Sequence, residues 1–224
     1  MREQLRIGQE FHEAEPMNKL NVTIIGPACS GKSTILHSLR EQGYTVQPEP
    51  SNDMFPVFLK DPRKYAFSNQ LNLMTRLMET EIKTRQKTDL SDPNFSESGV
   101  LATDIYNRYL HDKHHISDEE FTHLNWLYQN HLAAFPIADV VVYISTDREI
   151  LKERAIRRDG KVAIDPEDLI PYWDRLLTDL HERGIPVIHI NTGIHSVDET
   201  SIIIVDAVEK VKTEQANTRG RSII

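Results

Sequence analysis

The sequence predicts an α/β protein: a five-stranded parallel sheet with helices on both faces and an arginine-rich lid. Three observations carry that expectation. Short β-rich runs alternate with helical segments along the chain, as crossover connections require. The run "KLNVTIIG" ends in glycine and leads into "PACSGKSTILHSLREQG", a glycine-bounded loop followed by a helical pattern. Late in the chain, "ADVVVYIS" is almost wholly apolar, which is how a parallel strand covered on both faces reads.

The elements follow in order. "KLNVTIIG" is the first strand and "GKSTILHSLREQG" the first helix, with Gly43 as its C-terminal stop. "YTVQPEP" is the second strand, ended by prolines. "DPRKYAFSNQLNLMTRLMETEIKTRQKTD" is a long helix, on which Phe67, Leu71, Met74 and Met78 recur at helical spacing. "LSDPNFSESG" is expected as loop and "VLATD" as the third strand, ending in a carboxylate. Two helices follow at about 105–111 and 117–134, the second opened by the capping box "SDEE". "ADVVVYIS" is the fourth strand. "DREILKERAIRRDG" is a helix with an acidic start and a basic end, which suits the helix dipole. "DPEDLIPYWDRLLTDLHERG" is another helix, "IPVIHIN" the last strand, and 197–211 the last helix. Residues 1–18 read as an extension, 19–211 as one domain with its lid at about 154–165, and 212–224 as a mobile tail.

Composition narrows the function classes. A chain of 224 residues with 39 % hydrophobic and 27 % charged residues suits one globular domain with a sizeable core. The net charge of −8 argues against a mainly electrostatic nucleic-acid binder, although a local basic groove can sit on an acidic protein. The single cysteine, Cys29, excludes an internal disulfide. No apolar run reaches the ~18 residues of a membrane span, and the polar first twenty residues lack a signal-peptide core. The expected location is the cytoplasm, the host's if the protein is viral, with no membrane partner.

The stretch "TIIGPACSGKSTI" carries the clearest chemistry. Gly26, four residues, then Gly31-Lys32-Ser33 form a phosphate-binding loop placed between a strand and a helix, as its mechanism demands. The glycines let backbone N–H groups of Pro27–Thr34 (Pro27 itself excepted, with Ala28, Cys29 and Ser30 between) turn towards phosphate oxygens at a helix N-terminus. Lys32 can reach the outer phosphates, and the Ser33 hydroxyl can ligate Mg²⁺. Glu49, in "PEP" at the end of the second strand, is either a general base for an attacking hydroxyl or an exposed turn residue. Arg154, Arg157 and Arg158 can stabilise a transferring phosphoryl group, or simply end a solvated helix. Asp104 can hold Mg²⁺ through water, meet an acceptor, or cap the next helix. Gln70 has the amide that suits a nucleobase edge, but its spacing alone reads as surface. "HDKHH" (111–115) matches no standard metal spacing and reads as a solvated loop.

Taken together, "IIGPACSGKSTILHSLREQGYTVQPEP", "KDPRKYAFSNQLNLMTR", "ADVVVYISTDREILKERAIRRDG" and "DLIPYWDRLLTDL" resemble the deoxyribonucleoside kinases of the thymidylate-kinase-like superfamily, over about residues 19–192. The resemblance implies a three-layer P-loop kinase fold and ATP with Mg²⁺ as the donor. It implies Glu49 as general base, Gln70 on a base edge, and Arg154 and Arg158 on phosphates. Three acceptor-side features depart from the family pattern. An acidic residue and then Arg-Ser follow the family's third strand, whereas "TDIYNRY" has Ile105 after Asp104, with Arg108 as the nearest arginine. The family's aromatic after Glu-Pro falls here on Phe55, a little late, and its second substrate-helix arginine on Arg76, one position shifted. The expected reaction is γ-phosphoryl transfer to a deoxynucleoside hydroxyl. The alternatives are a deoxynucleoside monophosphate, or the hydroxymethyl group of 5-hydroxymethyluracil in DNA, as in some bacteriophage relatives. A nucleotide-binding switch is the remote alternative. The resemblance also implies a homodimer through the helices around 65–85 and 115–135.

Overall fold

Four of the five residues of Asn21–Ile25 are β-branched, and the segment forms β1 at the centre of the sheet. The computed structural model describes residues 19–87, 90–135, 138–160, 162 and 164–221. The expected extension at 1–18 therefore lies outside the described residues, as do two positions of the expected lid. The remaining strands are β2 (Val46–Gln47), β3 (Asn94–Glu97), β4 (Val140–Ser145) and β5 (Val187–Asn191). All pair in parallel in the order β2-β3-β1-β4-β5.

Side chains alternate across this sheet with period two. Val22 and Ile24 of β1, with Val140, Val142 and Ile144 of β4, pack under α1 (Lys32–Glu41) and α8 (Val197–Arg221). Ile25 and Val141 face the other way, into a larger core. That core is built with α3 (Pro62–Arg85), α4 (Thr103–Asp112), α5 (Asp118–Ala134) and α7 (Ile170–Glu182). Two further α-helices are α2 (Phe55–Phe58), a single turn not foreseen in the sequence, and α6 (Arg148–Asp159). The capping box at Ser117 and Glu120 is formed as expected. No helix among the described residues is long and apolar enough to cross a membrane.

The third strand is not where the sequence places it. β3 lies inside the expected loop, and the expected strand "VLATD" is a 3₁₀ turn, Val100–Ala102, that runs into α4. The reason is chemical. Asn94-Phe95-Ser96-Glu97 has one apolar residue and so lacks a strand-like pattern, yet its polar side chains are paired. Asn94 Nδ2 donates to Leu20 O at 3.1 Å, and Ser96 Oγ lies 3.0 Å from Thr23 Oγ1. "VLATD" is apolar because it is buried in the core as helix, a distinction that a short apolar run does not carry by itself. The last helix also extends beyond the expected 211, to Arg221, through part of the segment expected as tail.

Candidate active site

The carboxyl ends of parallel strands face one edge of the sheet, and ligands of such sheets bind where the strand order diverges. Here that point is the end of β1, between β3 and β4. A cavity of about 1050 Å³ opens there. Its walls come from the loop after β1, Glu49 after β2, Glu97 at the end of β3, and Thr192 after β5.

The loop Gly26–Gly31 needs its glycines. Gly26 has φ +151°, and a Cβ there would stand 2.2 Å from Ile144 O on β4. Gly31 has φ +101° and immediately precedes α1. One bond within the loop and two from other elements hold it. Ser30 N donates to Pro27 O at 3.2 Å, Thr192 Oγ1 donates to Ser30 O at 3.0 Å, and Arg154 Nη1 donates to Cys29 O at 3.2 Å. Gly26→Ala adds about 1–3 kcal/mol of backbone strain on top of that clash. The expected result is a loss of ATP affinity of at least about tenfold, measured by calorimetry.

Lys32 is buried, and its ammonium donates to Gly26 O at 2.9 Å and Pro27 O at 2.8 Å. Burial lowers its pKa, while the carboxylates of Glu97 and Glu49 pull it back up. Ser33 Oγ donates to Glu97 Oε1 at 2.8 Å. The Glu49 carboxyl is held above its ordinary pKa, first by burial; Lys32 opposes this and the charge of Glu97 adds to it. Arg154, Arg157 and Arg158 of α6 all line the cavity, Arg158 also pairing with its neighbour Asp159 at 2.7 Å.

The acceptor side departs from expectation at Arg76, Asp104 and Arg108, none of which lines the cavity, while Gln70 follows the resemblance rather than its spacing. Gln70 is not a surface residue: it is 4 % exposed, lines the cavity, and its Oε1 has no hydrogen-bond partner. With Leu73 and Leu77 it forms the stripe of α3 that faces the cavity. Arg76 lies off that stripe. It donates to Ser51 O at 3.0 Å and pairs with Asp53 at 2.6 Å on the outside of the cavity. Asp104 and Arg108 are not in the cavity wall either; they form an ion pair one turn apart on α4, at 2.6 Å. The helix that replaced the expected strand turns both away and presents Thr103, Tyr106 and Leu110 instead. Phe55 does line the cavity, stacked on Phe58.

Glu97 is the carboxylate the sequence reading missed, because it hides in a polar strand. Since β3 ends at Glu97, this residue is the acidic group after the third strand, and Ser98 stands where the family pattern has arginine. A reading of "NFSE" as strand would have found it. Tyr106 was also missed. Burial, and then the charge of Glu49, push its hydroxyl well above the ordinary tyrosine range. Asn69 was a third: it lines the cavity and its Oδ1 accepts from Asn52 Nδ2 at 2.9 Å. The "HDKHH" segment binds within itself and its surroundings: His111 stacks on Phe121 and bonds Asp118 at 2.9 Å.

A phosphate-binding loop at the switch point of a parallel sheet, facing a basic helix and a deep polar-and-apolar pocket, defines a P-loop phosphotransferase. A model of the family described as deoxynucleoside kinase matches residues 22–219, and the chain belongs to that family. It is 27 % identical over 198 residues to a Fowlpox virus protein described as "Probable deoxycytidine kinase", covering 80 % of this chain and 82 % of that one. Among solved structures it resembles deoxyadenosine kinase from M. mycoides with dCMP and dCDP bound, at 18 % identity and a TM-score of 0.67. That match covers 85 % of this chain and all of the other. The same enzyme with dATP bound matches at 17 % identity and a TM-score of 0.66, with 85 % of this chain covered and all of that one.

Proposed function

We propose that this kinase transfers the γ-phosphoryl of ATP to the 5′-hydroxyl of a free deoxynucleoside. The observation that carries the reading is Gln70: a buried amide with an unpartnered oxygen, in the same cavity as the phosphate loop and Glu49. A buried polar atom without a partner is costly, and a nucleobase edge supplies both a donor and an acceptor to an amide.

In this reading Glu49 accepts the proton of the attacking hydroxyl. Lys32, the loop amides, Arg154 and Arg158 hold the phosphates and balance charge on the transferring group. The Ser33 hydroxyl and Glu97 carboxylate are hard oxygen donors, one carboxylate beside the phosphates, which fits Mg²⁺. They take the metal role first assigned to Ser33 and Asp104. Bound there, Mg²⁺ would neutralise charge on the outer phosphates. Leu73, Leu77, Phe55 and Phe58 cover the apolar faces of the base. Set one way, the Gln70 amide suits cytosine or adenine; turned by half a rotation, it suits thymine or guanine.

The test is transfer from γ-labelled ATP to the four deoxynucleosides, their monophosphates, and DNA with or without 5-hydroxymethyluracil. Label on a free deoxynucleoside is the expected result; label only on a monophosphate or on modified DNA overturns the acceptor. The pH profile is a second check. Because the Glu49 pKa is raised, kcat/KM should fall on the acid side through a limb that lies above the ordinary glutamate value of about 4.3, and Glu49→Gln should remove that limb.

A further inference from the structure

Behind the cavity, on the far side of the turn that follows β3, sits a part-buried pair that takes no part in the chemistry above. Glu81 of α3 and His131 of α5 meet at 2.7 Å, with side chains 25 % and 5 % exposed. Neither lines the main cavity. They border a small separate void of about 60 Å³, with Thr23, Ser96 and Gly99.

The turn they touch is strained and consequential. Ser98 and Gly99 are consecutive residues with positive φ, +60° and +53°. Ser98 N makes the last rung to β1, donating to Ile24 O at 2.8 Å. Glu97, just before, accepts from Ser33, and both Glu97 and Ser98 line the main cavity with Glu49. The turn thus aims two cavity groups at once. A left-handed conformation at a non-glycine residue persists only where its surroundings over-determine it. Glu81 supplies that constraint. Its Oε1 accepts from Val100 N at 2.7 Å, and a Cβ on Gly99 would lie 2.8 Å from the same oxygen. Its Oε2 is fixed by His131.

We propose that Glu81 is a positioning residue: held by His131, it clamps the Ser98-Gly99-Val100 backbone and so sets Glu97 against Ser33. The inference rests on the proposed role of Glu97 in holding Mg²⁺. Residues that orient a metal ligand without touching the metal typically change affinity or activity by about 10–100-fold.

The test uses the full chain with Glu81→Ala, Glu81→Gln and Glu81→Asp, and Glu97→Gln as the reference. Glu81→Ala should lower kcat by at least about tenfold with little change in KM for the nucleoside. By calorimetry it should weaken ATP binding in Mg²⁺ and leave ATP binding in EDTA unchanged. In the nucleotide-free protein, amide exchange at Val100 should quicken. Glu81→Gln keeps a carbonyl for Val100 N and should recover most of the loss. Glu81→Asp draws the acceptor back by one methylene and should show a milder form of the same defect, which keeps the test decisive if the alanine variant does not fold. Glu81 variants with a lowered melting temperature but wild-type kcat and wild-type Mg²⁺ dependence overturn the proposal, since the pair is then only a tie between helices. If Glu97→Gln shows Mg²⁺-dependent loss and the Glu81 variants do not, this inference alone fails. If Glu97→Gln itself leaves the Mg²⁺ dependence intact, the metal reading fails and this inference with it.

Discussion

Glu49→Gln is expected to lower kcat by about 10²–10⁴-fold, the range for loss of a positioned general base, with ATP affinity nearly unchanged. The side chain keeps its size, so it still packs after β2, but it no longer takes a proton. Stability separates this result from misfolding. The folded-state pKa of Glu49 is raised, chiefly by burial. A carboxyl whose pKa is raised on folding opposes folding when ionised, and that opposition vanishes as pH falls below the unfolded value. Neutralising it by mutation should therefore leave the melting temperature at pH 7 unchanged or higher. Reduced activity with a lowered melting temperature would mean that Glu49 is structural and would remove it from the mechanism.

Lys32→Met carries the second large effect. Its ammonium sits among the carbonyls of Gly26 and Pro27 at the mouth of the loop, within the influence of both Glu97 and Glu49. In a phosphoryl transfer the protein contributes chiefly positioning and charge. Removing one preorganised donor costs about 10²–10³-fold in kcat. Methionine fills the same buried channel, so the loop should keep its shape. The expected signature is a collapse of kcat with a weaker decline in nucleotide binding, followed by single-turnover transfer and calorimetry in parallel. Wild-type turnover in Lys32→Met would exclude the loop from the transfer step, and with it the assignment of this cavity as the active site.

The donor side was legible because its chemistry is local. Gly26, Gly31, Lys32 and Ser33 fall within one loop, and a loop between strand and helix has few ways to fold. Arg154 and Arg158 were legible for a related reason: they follow a strand so apolar that it reads plainly as a buried parallel strand. The acceptor side was not local. Asp104, Arg108 and Arg76 were assigned from position along the chain, and each assignment depended on where an element began. One misplaced strand put Asp104 and Arg108 on the acceptor side, whereas they pair with each other outside the cavity wall and Glu97 lines it.

The sequence by itself determined the fold class and the phosphate loop with the strand and helix that flank it, because hydrophobic period and glycine geometry act over a few residues. Only the tertiary structure decided that β3 is the polar segment Asn94–Glu97 and that Gln70 is buried. It alone decided that Glu81 and His131 brace the turn beside the cavity. A polar strand is stable only where its neighbours satisfy its side chains, and a buried amide makes sense only beside a cavity. Both conditions are set by residues tens of positions away, and no local pattern contains them.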